Sequence, residues 1–200
     1  MIRFTTCTGL VVVAALLAVP AEAAVVVFEA ESETVMRGIQ VCSPDGSPVL
    51  KLLANSGHDG RLAGFVIETG EYSAQELLAR YGEGYYGMAA VSEDGLSASG
   101  GAFLSHDLLP APTVLYPLEE DDAVPTNATV RWSPLPGATE YLIVLEQGEN
   151  DGLTARLPAS STSFTIPQGI LAPETVSHVE LGAVGSNGNV TLVEVEFTTL

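Results

Sequence analysis

The one place where a nucleophile, a base and an acid stand together in this chain is Ser105-His106-Asp107. A hydrolytic triad works because three such side chains converge on one point from different parts of a fold. Neighbours on an extended segment point to opposite faces, so three consecutive residues cannot converge. The stretch Gly95-Leu96-Ser97-Ala98-Ser99-Gly100 lacks the second glycine of a Gly-x-Ser-x-Gly elbow and the strand-to-helix setting that exposes its serine. Nucleophilic hydrolysis therefore has no local support.

Metal chemistry fares no better. His58, His106 and His178 are the only histidines, and none lies three or four residues from another, the helical spacing that builds zinc sites. Each is expected at a turn or on a strand surface. Carboxylates are the better candidates for an ion. Glu119-Glu120-Asp121-Asp122 falls in a predicted loop ahead of the Trp132 strand, and Glu146, Glu149, Asn150 and Asp151 in the loop after the Tyr141 strand. Calcium takes six to eight oxygens, but neither loop has the Asp-x-Asp-x-Asp-Gly order with a terminal glutamate. Glu29, Glu31 and Glu33 form a third acidic line. All three are expected to be solvated charge. No catalytic, cofactor or metal residue is assigned, and calcium is the one cofactor the acidic loops leave open.

The rest of the composition limits the partners. Asp and Glu number 25 against 7 Lys and Arg, for a net charge of −18. Such a surface repels polyanions, which disfavours nucleic acid and anionic lipid. Met1 to Ala23 reads as a cleaved leader: Arg3 supplies the charged start, Leu10 to Val19 is apolar, and Ala21-Glu22-Ala23 is a small-x-small cleavage site. Its apolar run is short for a span of about 20 residues. Cys7 stands ahead of that core rather than at the cleavage site, so no lipid attachment is indicated. Export without membrane insertion is expected, with Glu196 to Leu200 as a closing strand and no sorting tail. Cys42 is then the single mature cysteine, expected as a buried thiol on a strand. Asn127-Ala128-Thr129 and Asn189-Val190-Thr191 satisfy the glycosylation pattern.

The elements that would position these groups read as strands. Ala128, Val130 and Trp132 share one face while Thr129 and Arg131 share the other. Pro134, Pro136 and Gly137 force a connection, after which Tyr141, Ile143 and Leu145 alternate with Leu142, Val144 and Glu146. A strand ending in tryptophan, a proline corner and a strand opening on tyrosine resemble the fibronectin type III family. Leu171-Ala172-Pro173-Glu174-Thr175, followed by Val179, Leu181 and Ala183, is similar to that family's Leu-x-Pro-x-Thr segment. The likeness runs from about Thr113 to Leu200. Ser177 departs from it, standing where the family has the tyrosine that ties strand to corner, so this corner must be held some other way. The loop Ser186-Asn187-Gly188-Asn189, where some members carry Arg-Gly-Asp, carries none, so integrin-type adhesion is not implied.

Upstream, segments Ala24–Ala30, Val35–Cys42, Val49–Leu53, Arg61–Thr69, Gly84–Val91 and Gly100–Leu104 are predicted strands. Asp45-Gly46, Asp59-Gly60 and Asp94-Gly95 supply tight reversals between them. Ser73 with Glu76 forms a capping box for one helix whose apolar side is Leu77, Leu78 and Tyr81 and whose stop is Gly82. Gly84-Tyr85-Tyr86-Gly87-Met88-Ala89-Ala90 resembles the sixth strand of immunoglobulin-like domains, with Met88 in the cysteine's place and Tyr86 as the corner tyrosine that likeness implies. The whole also resembles exported bacterial proteins of unassigned activity.

The expected architecture is all-β: two small Greek-key β-sandwich domains in tandem, the first with one short helix, after a cleaved signal peptide. Residues 1–23 form the leader, 24–110 an immunoglobulin-like domain and 111–200 a fibronectin type III-like domain, joined by the stiff Leu109-Pro110-Ala111-Pro112. The expected function is a non-enzymatic exported binding or structural module acting on a protein or carbohydrate partner. The alternatives are a carbohydrate-active enzyme or accessory protein using acidic residues of the first domain, and a calcium-dependent assembly protein. Aromatics, the usual sugar platforms, are expected mostly in cores.

Overall fold

The computed structural model describes residues 11–18, 23–53, 62–70, 72–148 and 152–200. Within the expected leader only β1 (Val11–Ala18) and Ala23 belong to that set. The chain divides into two compact units, one holding Ala23–His106 and the other Asp107–Leu200. Among the described residues no helix is long and apolar enough to cross a membrane.

The first unit is organised by one strand, β2 (Ala23–Cys42). Its first half pairs antiparallel with β4 (Leu62–Glu68) and β5 (Tyr72–Ser73). Its second half lies between β3 (Pro48–Leu53) and β6 (Gly84–Ser92), and β6 pairs with β7 (Ser97–Leu104). The segments expected as two strands, Ala24–Ala30 and Val35–Cys42, are thus one continuous strand. Their polar middle, Glu31 to Thr34, breaks the apolar pattern without breaking the chain's extension. Register slips there and again between Met36 and Gly38. Such bulges bend a strand, which lets both halves of β2 cover one interior. Phe28, from the first half, lies 5.8 Å from the ring of Tyr86 on β6. Val26, Ile39, Val41, Met88 and Leu104 complete that core.

The helix forms where the capping box sits. In α1 (Ala74–Arg80), Ser73 Oγ accepts the Glu76 N–H at 3.3 Å and the Glu76 carboxylate accepts the Ser73 N–H at 3.2 Å. Leu77 is fully buried, whereas Leu78 faces outward. The chain leaves the helix at Tyr81, and the left-handed residue is Gly84 rather than Gly82. At Gly84 a Cβ would stand 2.6 Å from the Pro44 ring, so only glycine fits. Tyr86 is the corner tyrosine: its hydroxyl, buried with the ring, donates to the Gly82 carbonyl at 3.0 Å.

The second unit is a three-on-four sandwich. One layer is ordered β13-β10-β8 from Ser163–Thr165, Thr129–Trp132 and Val114–Tyr116. The other is ordered β12-β11-β14-β15 from Leu153–Pro158, Glu140–Glu146, Val176–Val184 and Val190–Thr199. A short β9 (Asp121–Val124) runs parallel to β15. The alternation read from sequence is the alternation of burial: Val130, Trp132, Tyr141, Ile143 and Leu145 are all enclosed. The Trp132 and Tyr141 rings meet at 5.4 Å. Tyr141 also closes the proline corner, its hydroxyl accepting the Leu135 N–H at 2.7 Å. The stretch expected as a stiff join begins inside this unit, with Leu109 packed on its core and the Leu109 carbonyl accepting the Thr191 hydroxyl at 2.8 Å.

Ser177 is buried, and a side-chain amide replaces the missing corner tyrosine. Gln147 grips Ala172 at both ends, its Nε2 donating to the Ala172 carbonyl at 3.0 Å and its Oε1 accepting the Ala172 N–H at 2.6 Å. The same Nε2 donates to Ser177 Oγ at 2.8 Å. From the other side Thr199 Oγ1 donates to the Ala172 carbonyl at 2.7 Å and accepts the Thr175 N–H at 3.0 Å.

Candidate functional site

Among the described residues, those of the triad letters are engaged in the fold. His106 places Nε2 2.8 Å from the Tyr81 carbonyl, and its backbone N–H donates to the Glu83 carboxylate at 3.1 Å. Ser105 is buried, and the Asp107 carbonyl accepts the amides of Asn187 and Asn189 at 2.9 and 2.8 Å. Asn189, a glycosylation candidate by sequence, is buried with its amide engaged, while Asn127 is exposed.

The acidic loop ahead of Trp132 is also structural. Asp121 and Asp122, expected in a loop, begin β9. The Glu119 carboxylate accepts the Glu196 N–H at 3.1 Å, and Asp121 accepts the Leu118 N–H at 2.7 Å, so these acids cap backbone donors. Glu146 ends β11 opposite His178, whose Nδ1 lies 2.8 Å from the Glu194 carboxylate. On that outer face burial, reinforced by Glu146 and Glu194 and opposed by His178, holds the Glu180 carboxyl above its ordinary range. Among the described residues no three acids, histidines or cysteines gather as a metal would need. His58, Glu149, Asn150 and Asp151 lie outside the described residues, as do the side chains of Glu31 and Glu33. Glu29 is half-buried on β2.

A cleft of about 550 Å³ opens between the turn after β2 and the end of α1. It holds two carboxylates, Asp45 and Glu83, the pair a glycosidase would need. Both are engaged. Asp45 accepts the Ser43 hydroxyl at 2.6 Å and the Ser47 N–H at 2.9 Å, which hold its carboxyl below the usual range, and Glu83 accepts from His106. Arg80, also in this cleft, sits 4.7 Å over the Tyr72 ring.

A different surface of the first unit, the outer face of β3-β2-β6-β7, carries exposed apolar side chains. Because Tyr86, Met88, Ala90 and Ser92 point inward, Tyr85, Gly87, Ala89 and Val91 point outward. Cross-strand register sets them in rows: Tyr85 beside Phe103, Gly87 between Cys42 and Gly101, Ala89 between Gln40 and Ser99, and Val91 between Gly38 and Ser97. Beyond β2, Lys51 and Leu53 of β3 extend the last two rows. Leu53, Phe103, Tyr85 and Val91 are 72, 57, 56 and 44% exposed. A Cβ on Gly101 would fall 2.5 Å from Tyr85 Cζ and its hydroxyl, so the Tyr85 ring spreads across that glycine and offers its other face to solvent. A shallow groove of about 280 Å³ runs beside it, lined by Arg37, Lys51, Gln40 and the apolar Ile39, Leu53 and Val91. No carboxylate lines that groove, in a chain of net charge −18. Cys42 lies here too, half-buried rather than enclosed, with its sulfur accepting the Gln40 amide at 3.3 Å. The sequence signal for this face was the outward half of the alternation in Gly84–Val91; the pairing of Tyr85 with Phe103 had none.

No family profile and no curated protein matches the chain. Among solved structures it is similar to a two-domain fibronectin type III segment of chicken tenascin, at 13% identity and a TM-score of 0.36, over 96% of this chain and 98% of that one. It is similar to fibronectin(III)-like modules of Clostridium thermocellum CbhA, at 10% identity and a TM-score of 0.37, over 96% and 94%. It is also similar to the BSP domain of a biofilm associated protein, at 18% identity and a TM-score of 0.31, over 94% of this chain and 29% of that chain. The chain thus spans less than a third of that last protein's length. The first two of these are fibronectin type III structures, and the likeness is one of fold.

Proposed function

We propose that this chain is an exported, non-catalytic binding module, and that it binds through the outer face of β3-β2-β6-β7. The observation that carries the proposal is the combination on that one face of exposed Tyr85, Phe103, Val91 and Leu53 with a groove lined by Arg37 and Lys51 and by no acid. Contiguous exposed apolar surface on a soluble unit marks an interaction site, and its place on a rigid sheet means little ordering cost on binding. The engagement of His106, Glu83, Asp45 and Glu119 in structural hydrogen bonds supports a non-catalytic role. The apolar start and small-x-small site of Met1 to Ala23 support export.

The test is retention in the native host. Wild-type protein should fractionate with extracellular or envelope material and begin near Ala24, while Tyr85→Ser with Phe103→Ser should wash free with an unchanged circular dichroism spectrum. Equal retention of the double variant would remove this face from the function.

A further inference from the structure

We infer, resting on the binding-module proposal above, that the partner is a polypeptide that adds one extended, neutral or basic strand to the outer edge of β7, with bulky apolar residues at every second position. An edge strand turns the N–H and C=O of alternate residues away from its one neighbour. In a strand the length of β7 (Ser97–Leu104) that is about four of each. Among the described residues β7 pairs with β6 alone and is last in the strand order. A row of donors and acceptors repeating every second residue, about 6.8 Å apart, is matched by the backbone of another extended chain.

Proteins ordinarily blunt such an edge with charge, proline, a bulge or shortness. Among the described residues the other outer strands do so. β3 carries Pro48 and Lys51, β4 ends on Glu68, β9 opens on Asp121, β12 carries Arg156 and Pro158, and β5, β8 and β13 have two or three residues each. β7 has eight residues, no charge and no proline, and its register with β6 runs unbroken from Gly84 opposite Leu104 to Val91 opposite Ser97.

The inward side of β7 dictates what the added strand must carry. Ala98, Gly100 and Ala102 stand opposite Ala90, Met88 and Tyr86, which are enclosed, yet all three are themselves only half-buried. The interior is thus incompletely closed along this edge. A strand laid beside β7 sets its own inward residues about 4.8 Å from that row, and side chains the size of valine or leucine there cover what alanine and glycine leave bare. A second copy does not supply them, because a two-fold pairing of β7 with itself sets small residues against small ones, and each copy carries −18. The same charge disfavours an acidic strand. Outward residues of the added strand lie next to Ser97, Ser99 and Phe103, and so continue the apolar face of the sheet.

Fluorescence anisotropy tests this on the full chain with a labelled, capped peptide as long as β7, alternating valine with threonine and bearing lysine at each end. The peptide should bind saturably and slow hydrogen exchange at β7 amides. N-methylation of one alternate set of its residues should weaken binding about tenfold or more and of the other set little, because only one edge of the peptide faces β7. Ala98→Lys, which sets a charge where the peptide's valines would pack, should weaken it about tenfold. No binding, equal loss from both methylated sets, unslowed β7 amides, or indifference to Ala98→Lys would each overturn the inference, as would dimerisation of the protein alone that protects the same amides. Should Ala98→Lys fail to fold, the exchange measurement on the wild type decides. If the peptide fails while the Tyr85 and Phe103 changes still release the protein from native material, the strand inference falls and the module proposal stands.

Discussion

Replacing Gln147 by alanine tests the most specific structural claim about the second unit, that one amide does what a corner tyrosine does elsewhere. Three hydrogen bonds are lost: two to the backbone of Ala172 and one to Ser177 Oγ. A neutral hydrogen bond contributes about 0.5–1.5 kcal/mol net. Ala172 is exposed, so water takes over its N–H and part of its carbonyl, which keeps Thr199 as a donor. Those two bonds count near the low end, about 0.5 kcal/mol each. Ser177 is buried and water cannot replace the lost donor, so that bond counts near the high end, about 1.5 kcal/mol. The sum is about 2.5 kcal/mol, or a fall of about 10–20 °C in the melting temperature of a unit this size. The assay isolates the unit without dissecting it, because Trp132 is the only tryptophan and is buried in that core. Its fluorescence during urea or thermal unfolding reports the second unit alone. Ser177→Ala should cost less than Gln147→Ala, and the double variant little more than Gln147→Ala, since the pair shares a bond. A Trp132 transition moved by less than about 0.5 kcal/mol in Gln147→Ala would refute the clamp.

Three further outcomes are expected. Tyr86→Phe should destabilise the first unit by about 1 kcal/mol, read by far-ultraviolet circular dichroism, while Tyr85→Phe changes stability negligibly; equal effects would mean Tyr86 is no corner. Glu180 has its folded-state proton affinity raised by burial and by neighbouring Glu146 and Glu194, so the folded unit binds this proton more tightly than the unfolded chain does. The contribution is complete below the ordinary carboxyl value of 4.5 and is lost as pH rises through the raised one; Glu180→Gln should therefore stabilise the Trp132 transition at neutral pH, with the advantage shrinking toward pH 4, and an advantage independent of pH would contradict that sign. Cys42, half-buried on an open face, should be alkylated by iodoacetamide in the native protein, whereas labelling only after denaturation would place it in a core.

What could be read from the residues alone was what local physics governs. Period-two alternation named the enclosed side of Thr129–Trp132 and Glu140–Glu146, and the pairing of Ser73 with Glu76 named a helix start, because a strand's two faces and a helix's first turn are built from neighbours in the chain. The folded chain decided what lies across from each residue. Whether Ala24–Ala30 and Val35–Cys42 are one strand or two depends on which partners hydrogen-bond to them, and those come from β3, β4 and β6. That Gln147 would hold Ala172, 25 positions away, follows from where β11 and β14 meet and from no spacing. The open face of the first unit is the same kind of fact. Tyr85 read from sequence as one aromatic among cores, and became half of an exposed pair over a glycine floor only when register set Phe103 and Gly101 beside it. Local pattern fixes which way a side chain points; only the pairing of distant strands fixes what stands next to it.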